Sequence, residues 1–295
     1  LRYLRTHSFD AACAIDLDTI VPVLLAARLV GKPCIYDAHE YFTEVPEIVR
    51  RPFIKRIWEA IGRLSIPAFR HAYTVGPALA ERLEVRYGVP FAVIRNVPQR
   101  RLPPVLDATP ERPIILYQGA LNEGRGLEQA ILAMEYISDA ELWLAGEGDL
   151  SRELRRLTEQ LQLQGRVRFL GFLRPDDLWR ITSSAAIGLN LMENRGLSYY
   201  YSLANKAFDY IQAGLPSLQM DYPEYRRLND DYHVFYLLDQ LTPERVALAL
   251  QRLLQDEPLY RRLQRNCLQA AEVLHWEREE GQLLAFYRNI LSPNS

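Results

Sequence analysis

Short apolar runs of four or five residues alternate with helical stretches along almost the whole chain, and a proline-rich segment divides the alternation in two. Before it, Ala11–Ile15, Cys34–Tyr36, Ala72–Val75 and Phe91–Ile94 read as strands, separated by helical stretches through Val30, over Pro52–His71 and over Ala78–Tyr87. After it, Ile114–Tyr117, Leu142–Ala145, Val167–Leu170, Ala186–Leu191, Ser217–Met220 and His233–Leu238 read as strands among further helices. Strands that alternate with helices predict parallel sheets flanked by helices. The dividing segment, Val97–Pro113, contains five prolines and no apolar periodicity, as a connection between domains does. Two doubly wound α/β domains are expected: residues 1–106, residues 107–274, and a C-terminal helix at 275–295 packing back on the first.

Composition excludes several classes. A formal net charge of −2 over 295 residues leaves no basic excess to neutralise a nucleic-acid backbone. The three cysteines are far apart, with no metal-ligand spacing, so a reducing, cytoplasmic setting and no structural metal are expected. No apolar run approaches the roughly 18 residues that span a bilayer. The chain begins at Leu1 and meets its first strand almost at once, as expected of a piece of a longer protein cut inside its first domain.

In open parallel sheets, ligands bind beyond the carboxyl ends of the strands, so the loops leaving strands matter most. SLANKAFDYIQAGLP, Ser202–Pro216, reads as a short helix with Ser202 as N-cap and Asn205 and Lys206 in its first turn. A lysine at a helix N-terminus favours an anion, because the free N–H groups and the dipole point the same way. Asp209, three residues on, shares a face with Lys206 and suits a ribose. An ordinary amphipathic surface helix with a charge pair fits the same residues. YQGALNEGRG, Tyr117–Gly126, is a glycine-rich turn in which Gly119 and its neighbours expose amides and Arg125 adds a charged donor; a tight turn without ligand is the alternative. AGEGD, Ala145–Asp149, places Glu147 after a strand, either as a nucleoside partner or as a plain turn. DAHE ends a strand of the first domain and presents His39. Glu193–Tyr201 holds three successive tyrosines, ready to stack on a ring or to pack as a wall. Within Pro52–Arg70, Ile54, Ile57, Trp58, Ile61 and Leu64 form an apolar stripe, with Lys55, Arg56 and Arg63 off it. Such a helix faces a core or an anionic membrane surface.

In order, YQGALNEGRGLEQA, LWLAGEGDL, VRFLGFL and SLANKAFDYIQAGLP resemble segments of the retaining, family 4 glycosyltransferases of the GT-B type. IYDAHEYFTEVPE and YTVGPALAERLEVRYGVPFAVIRNVP resemble parts of that family's acceptor-side domain. The resemblance implies two Rossmann-like domains facing a cleft, the first incomplete here. It implies sugar transfer, with retention, from a UDP- or GDP-linked sugar to a glycan or lipid-linked acceptor of surface-polysaccharide type, without metal or cofactor. Asp209 matches the ribose-binding acid, Lys206 and Arg125 would neutralise the diphosphate, and Gly119, Glu147, Ser202 and Asn205 complete the donor site. His39 matches the histidine that reaches the transferred sugar. Tyr201 stands where many members carry the earlier of two glutamates, with Glu193 a nearby substitute, and Ala120 stands where many carry an arginine. Peripheral contact with the inner face of a membrane would use residues 50–70. A non-catalytic sugar-nucleotide-binding protein and a sugar-nucleotide epimerase are the competing readings.

Overall fold

The structure, a computed structural model, describes residues 7–102 and 110–292, so the expected 106/107 boundary lies outside the described residues. In chain order the elements are β1 (Ala12–Ile15), α1 (Asp16–Val30), β2 (Cys34–Ala38), α2 (Pro46–Val49), α3 (Pro52–Ser65), β3 (His71–Thr74), α4 (Pro77–Tyr87) and β4 (Ala92–Val93). There follow β5 (Ile114–Gln118), α5 (Leu127–Ala133), β6 (Glu141–Ala145), α6 (Ser151–Gln160), β7 (Val167–Gly171), α7 (Pro175–Ser184) and β8 (Ile187–Asn190). The chain closes with α8 (Leu197–Tyr200), α9 (Asn205–Gln212), β9 (Ser217–Met220), α10 (Pro223–Tyr232), β10 (Phe235–Leu238), α11 (Pro243–Gln255), α12 (Glu257–Ala271) and α13 (Trp276–Leu291). These elements fall into two compact units. One comprises residues 7–96, Asn194–Leu203 and 277–292; the other comprises the remaining described residues.

The first unit is built on a parallel sheet in the order β1-β2-β3-β4. Side chains on a strand alternate between faces, so β2 sends Tyr36 and Ala38 one way and Ile35 and Asp37 the other. Tyr36 joins a core with Leu17 and Ile20 of α1, Ile66, Phe69, and Leu79 and Leu83 of α4. On the opposite face Ile35, Tyr73 and Ile94 pack against Leu283, Phe286 and Ile290 of α13. Glu279 of that helix is buried and accepts a 2.9 Å hydrogen bond from the Arg95 amide. The sequence stripe on α3 divides: Trp58 and Ile61 turn into the core, while Phe53 and Leu64 are 73% and 82% exposed. Lys55 is held at 2.7 Å by Glu44. Among the described residues no helix is long and apolar enough to cross a membrane.

The second unit carries a six-stranded parallel sheet in the order β10-β9-β8-β5-β6-β7. Its central strand, IILYQ, is buried throughout, as a strand covered on both faces must be. From β5 the chain winds first through β6 and β7, then returns to β8 on the other side. The winding therefore reverses between β5 and β8, the place where such sheets open a crevice at their carboxyl edge. Only Ile115↔Ile187 and Leu116↔Gly188 pair these two strands. Tyr210 of α9 sits against Gly188, and its hydroxyl donates to Leu116 O (3.2 Å) and Leu189 O (3.1 Å), satisfying buried carbonyls where the strands separate. Residues 97–102 belong to this unit rather than hanging as a linker: the Arg101 amide contacts Gln212 Oε1 at 3.4 Å, and the Pro98 carbonyl accepts from the Trp276 amide at 2.9 Å.

Candidate functional site

The carboxyl end of β5 and the first turns of α9 meet at the reversal of the second unit. Lys206 extends its ammonium over the Tyr117 ring, 3.8 Å from the centroid. That ammonium lies 3.3 Å from the position a Cβ would take on Gly119, so the glycine leaves room for it. Gly119, at φ +129°, does not offer its own amide outward as expected; the N–H donates to Ala145 O at 2.9 Å and ties β5 to β6. Gly146, at φ +140°, rests on the Gly119 carbonyl, and no side chain fits between them. The two glycines thus serve close backbone approach.

Burial, then the neighbouring Arg125 charge, holds the Lys206 ammonium well below the ordinary lysine range, opposed by Asp209. Lys206 and Arg125 thus bring two cations together at the strand end, with Asp209 the carboxylate that favours the Lys206 charge. Asp209 is half-buried too, and burial raises its carboxyl to about 6 against the opposing effects of Arg101, Gln118 and Lys206. Its Oδ2 accepts from Gln118 Nε2 at 2.8 Å, and Gln118 Oε1 accepts from Thr182 Oγ1 at 2.8 Å. Asp209 also lines a cavity of about 320 Å³ with Arg101, Gln118, Trp179 and Gln212.

A carboxyl raised above its unfolded value costs stability where it must ionise. The penalty is absent below about pH 4, grows as pH rises toward 6, and is complete above it. Asp209→Asn, which keeps an acceptor for Gln118, is expected to stabilise the unliganded protein by about 1 kcal/mol at pH 7.5 and by nothing near pH 4. Thermal melts at the two pH values check this.

Other expected residues fall as follows. Ser202 does not cap the helix. α9 begins at Asn205 with Ala204 as its uncapped boundary, while the Ser202 hydroxyl donates back to Tyr199 O at 2.8 Å, closing the separate turn of α8. Ser202 and Tyr201 belong to the first unit, where Tyr201 packs on the hydrophobic core. Asn205 stands exposed in the first turn of α9. Arg125 Nη1 reaches Met192 Sδ at 2.9 Å, and the Glu193 amide bonds Gly124 O at 2.9 Å, so the glycine loop and the end of β8 are fastened together. Glu147 is ion-paired to Arg155 at 3.0 Å. It lines a second cavity, of about 460 Å³, with Gly119, Asn122, Gly146, Gly148 and the largely exposed Phe172. Tyr117, Gln118, Arg101, Thr182 and Phe172 were not anticipated; only the strand-end position of Tyr117, Gln118 and Phe172 could have signalled them. Among the described residues no three His, Cys, Asp or Glu side chains converge to hold a metal ion.

In the first unit His39 follows β2. Its Nε2 lies 3.1 Å from Asp37 Oδ2, and its backbone N–H donates to Asp16 Oδ1 at 3.0 Å. The Asp37 hydrogen bond, opposed by burial, lifts the imidazole above its ordinary value. Asp16 holds a left-handed backbone, φ +51°, at the end of β1, and burial raises its carboxyl to about 6. Such strain in a non-glycine residue is a mark of functional places.

The model of the family described as glycosyl transferases group 1 matches residues 99–269, more than half of the chain. The chain belongs to that family. A lipopolysaccharide core biosynthesis glycosyltransferase, LpsD of Rhizobium meliloti, is 30% identical over 123 residues, which cover 37% of this chain and 36% of LpsD. The match to that curated relative thus spans about a third of its length. Among solved structures, Anabaena HepE in complex with UDP superposes with a TM-score of 0.80 at 15% identity, covering 98% of this chain and 81% of HepE. Sucrose-phosphate synthase from Thermosynechococcus elongatus gives 0.79 at 18% identity, covering 98% and 75%. At these identities the likeness establishes the fold, which is GT-B: an α/β chain with two parallel sheets.

Proposed function

We propose that this chain is a glycosyltransferase that moves a sugar from a nucleoside-diphosphate sugar onto a glycan or lipid-linked acceptor, with retention at the anomeric carbon. The observation that carries the reading is the Lys206 ammonium, packed on Tyr117 in the space that Gly119 leaves open, beside Arg125 at the reversal of the sheet. A diphosphate placed there gains two cations and the N-terminal turn of α9, the means to stabilise a departing nucleoside diphosphate without metal or cofactor. Asp209 serves the ribose, and the cavity of Gly146, Gly148 and Phe172 receives the base, with stacking on the exposed phenyl ring. HepE was solved with UDP, which favours a uridine donor over a guanosine one. Asn205, Glu147 and Glu193 border the same loops and are the remaining donor contacts in this reading.

His39 is the catalytic residue of transfer. Retention proceeds by attack on the face the nucleotide leaves, with a donor phosphate oxygen taking the acceptor proton, so no pair of hydrolase-type carboxylates is required. His39→Ala is expected to lower transfer at least 100-fold while nucleotide affinity stays within about twofold. Mass spectrometry of acceptor extension beside nucleotide titration checks this. Equal transfer by the variant contradicts the assignment, and conversion of the donor with no acceptor present would show an epimerase instead.

The exposed residues of α3, Phe53, Ile57 and Leu64, with Arg56 and Arg63, suit an anionic membrane surface. Phe53→Asp with Leu64→Asp is expected to abolish flotation with phosphatidylglycerol vesicles. Unchanged flotation contradicts this contact.

A further inference from the structure

Asp37 has no part in the reading above, yet it is a buried acid two residues from His39. It lies at the end of β2, buried, on the face that carries Ile35 and meets α13. Its Oδ2 accepts the Tyr73 hydroxyl at 2.9 Å and faces His39 Nε2 at 3.1 Å, while its Oδ1 is buried with no hydrogen-bond partner among the described residues. A buried carboxylate so placed costs stability unless it does something. Only the end of the strand and the two-residue spacing to His39 make it useful. The His39 side chain is 44% exposed, and its ring is held by Asp37 Oδ2.

We propose that Asp37 is the positioning residue of His39: it fixes Nε2–H toward itself, presents Nδ1 outward, and stabilises the charged imidazolium. The Asp16 carboxylate accepts the His39 backbone N–H, so the residue is clamped at both main chain and ring. Tyr73 holds Asp37 in turn, and its hydroxyl stands 4.0 Å from Cys13 Sγ. The charged and titratable groups around this clamp are Asp16, Asp37 and Glu40 about the imidazole, and Cys13, Tyr73 and Tyr287 about Asp37. The carboxylates all favour a cationic ring, and burial alone opposes it. A ring held in this way donates to an oxygen that gains negative charge and is poorly suited to take a proton. The catalytic use of that donor rests on the transferase reading.

The test is an NMR titration of the His39 ring in the unliganded chain, wild type against Asp37→Asn, with Tyr73→Phe as control for damage to the buried network. The His39 midpoint is expected to fall by about half to one pH unit in Asp37→Asn and to stay or rise in Tyr73→Phe. In turnover, the alkaline limb is expected to move to lower pH in Asp37→Asn by the same amount, with kcat reduced and donor KM unchanged. A midpoint unmoved by Asp37→Asn in a folded protein overturns the inference. Wild-type protein that turns over no donor overturns the transferase reading instead, and the midpoint still decides the clamp.

Discussion

Lys206→Ala is expected to weaken nucleoside-diphosphate binding about 100-fold, the equivalent of roughly 2.7 kcal/mol and within the range for a hydrogen bond to a charged group. The loss should come without unfolding. In the unliganded protein the lysine is a liability: burial and Arg125 both act against its charge, and only Asp209 and the Tyr117 ring favour it. A lysine whose folded value is lowered penalises folding at every pH below its unfolded value, so its removal leaves the melting temperature unchanged or raised. A bound diphosphate reverses the balance by favouring the ammonium, so wherever the unliganded lysine is partly neutral, wild-type binding should draw a proton from the buffer. Calorimetry in two buffers of different ionisation enthalpy reads that proton, and Lys206→Ala should lose it along with the affinity. A variant that merely melts would instead show the lysine to be structural.

The second large effect is expected at Gly146. Alanine there would adopt φ +140°, which L residues rarely take, and would drive its Cβ into the Gly119 carbonyl. The loop after β6 would have to lift from the loop after β5, although Gly146 is also held by its amide to Gly171 O at 2.8 Å. A cost of about 3 kcal/mol is expected, with nucleotide binding reduced beyond detection because a shift of Gly119 would invade the space that the Lys206 ammonium occupies. Gly165→Ala is the matching control, since a Cβ there meets nothing within 4 Å. Denaturant melts should separate the two variants clearly; equal stability would show that the loops part without cost.

The alternation of strands and helices was legible where a strand is a compact apolar run, as in β5, and a helix carries an apolar face, as in α9 and α11. IILYQ and NKAFDYIQ leave little choice of structure. What sequence could not show depends on distance along the chain. Gln118 meets Thr182 and Asp209 across 64 and 91 residues, and nothing local to any of the three announces the chain of hydrogen bonds. Ser202 misleads because a serine four residues before a helical lysine has the look of an N-cap; the preceding turn, α8, takes its hydroxyl first. Gly119 was chosen for its amide, and its use lies in its missing side chain. Asp37 sat in view within DAHE, but its burial beneath α13 could be seen only once Ile290 and Phe286 were placed on the same face.

Calorimetric titration of residues 1–295 with UDP, GDP and ADP, each with magnesium and with a chelator, tests the proposed donor site most directly. The expectation is that UDP binds equally well in both conditions and that Lys206→Ala loses about 100-fold of that affinity. A folded chain that binds none of the three, or a Lys206→Ala variant that binds as tightly as wild type, would contradict it.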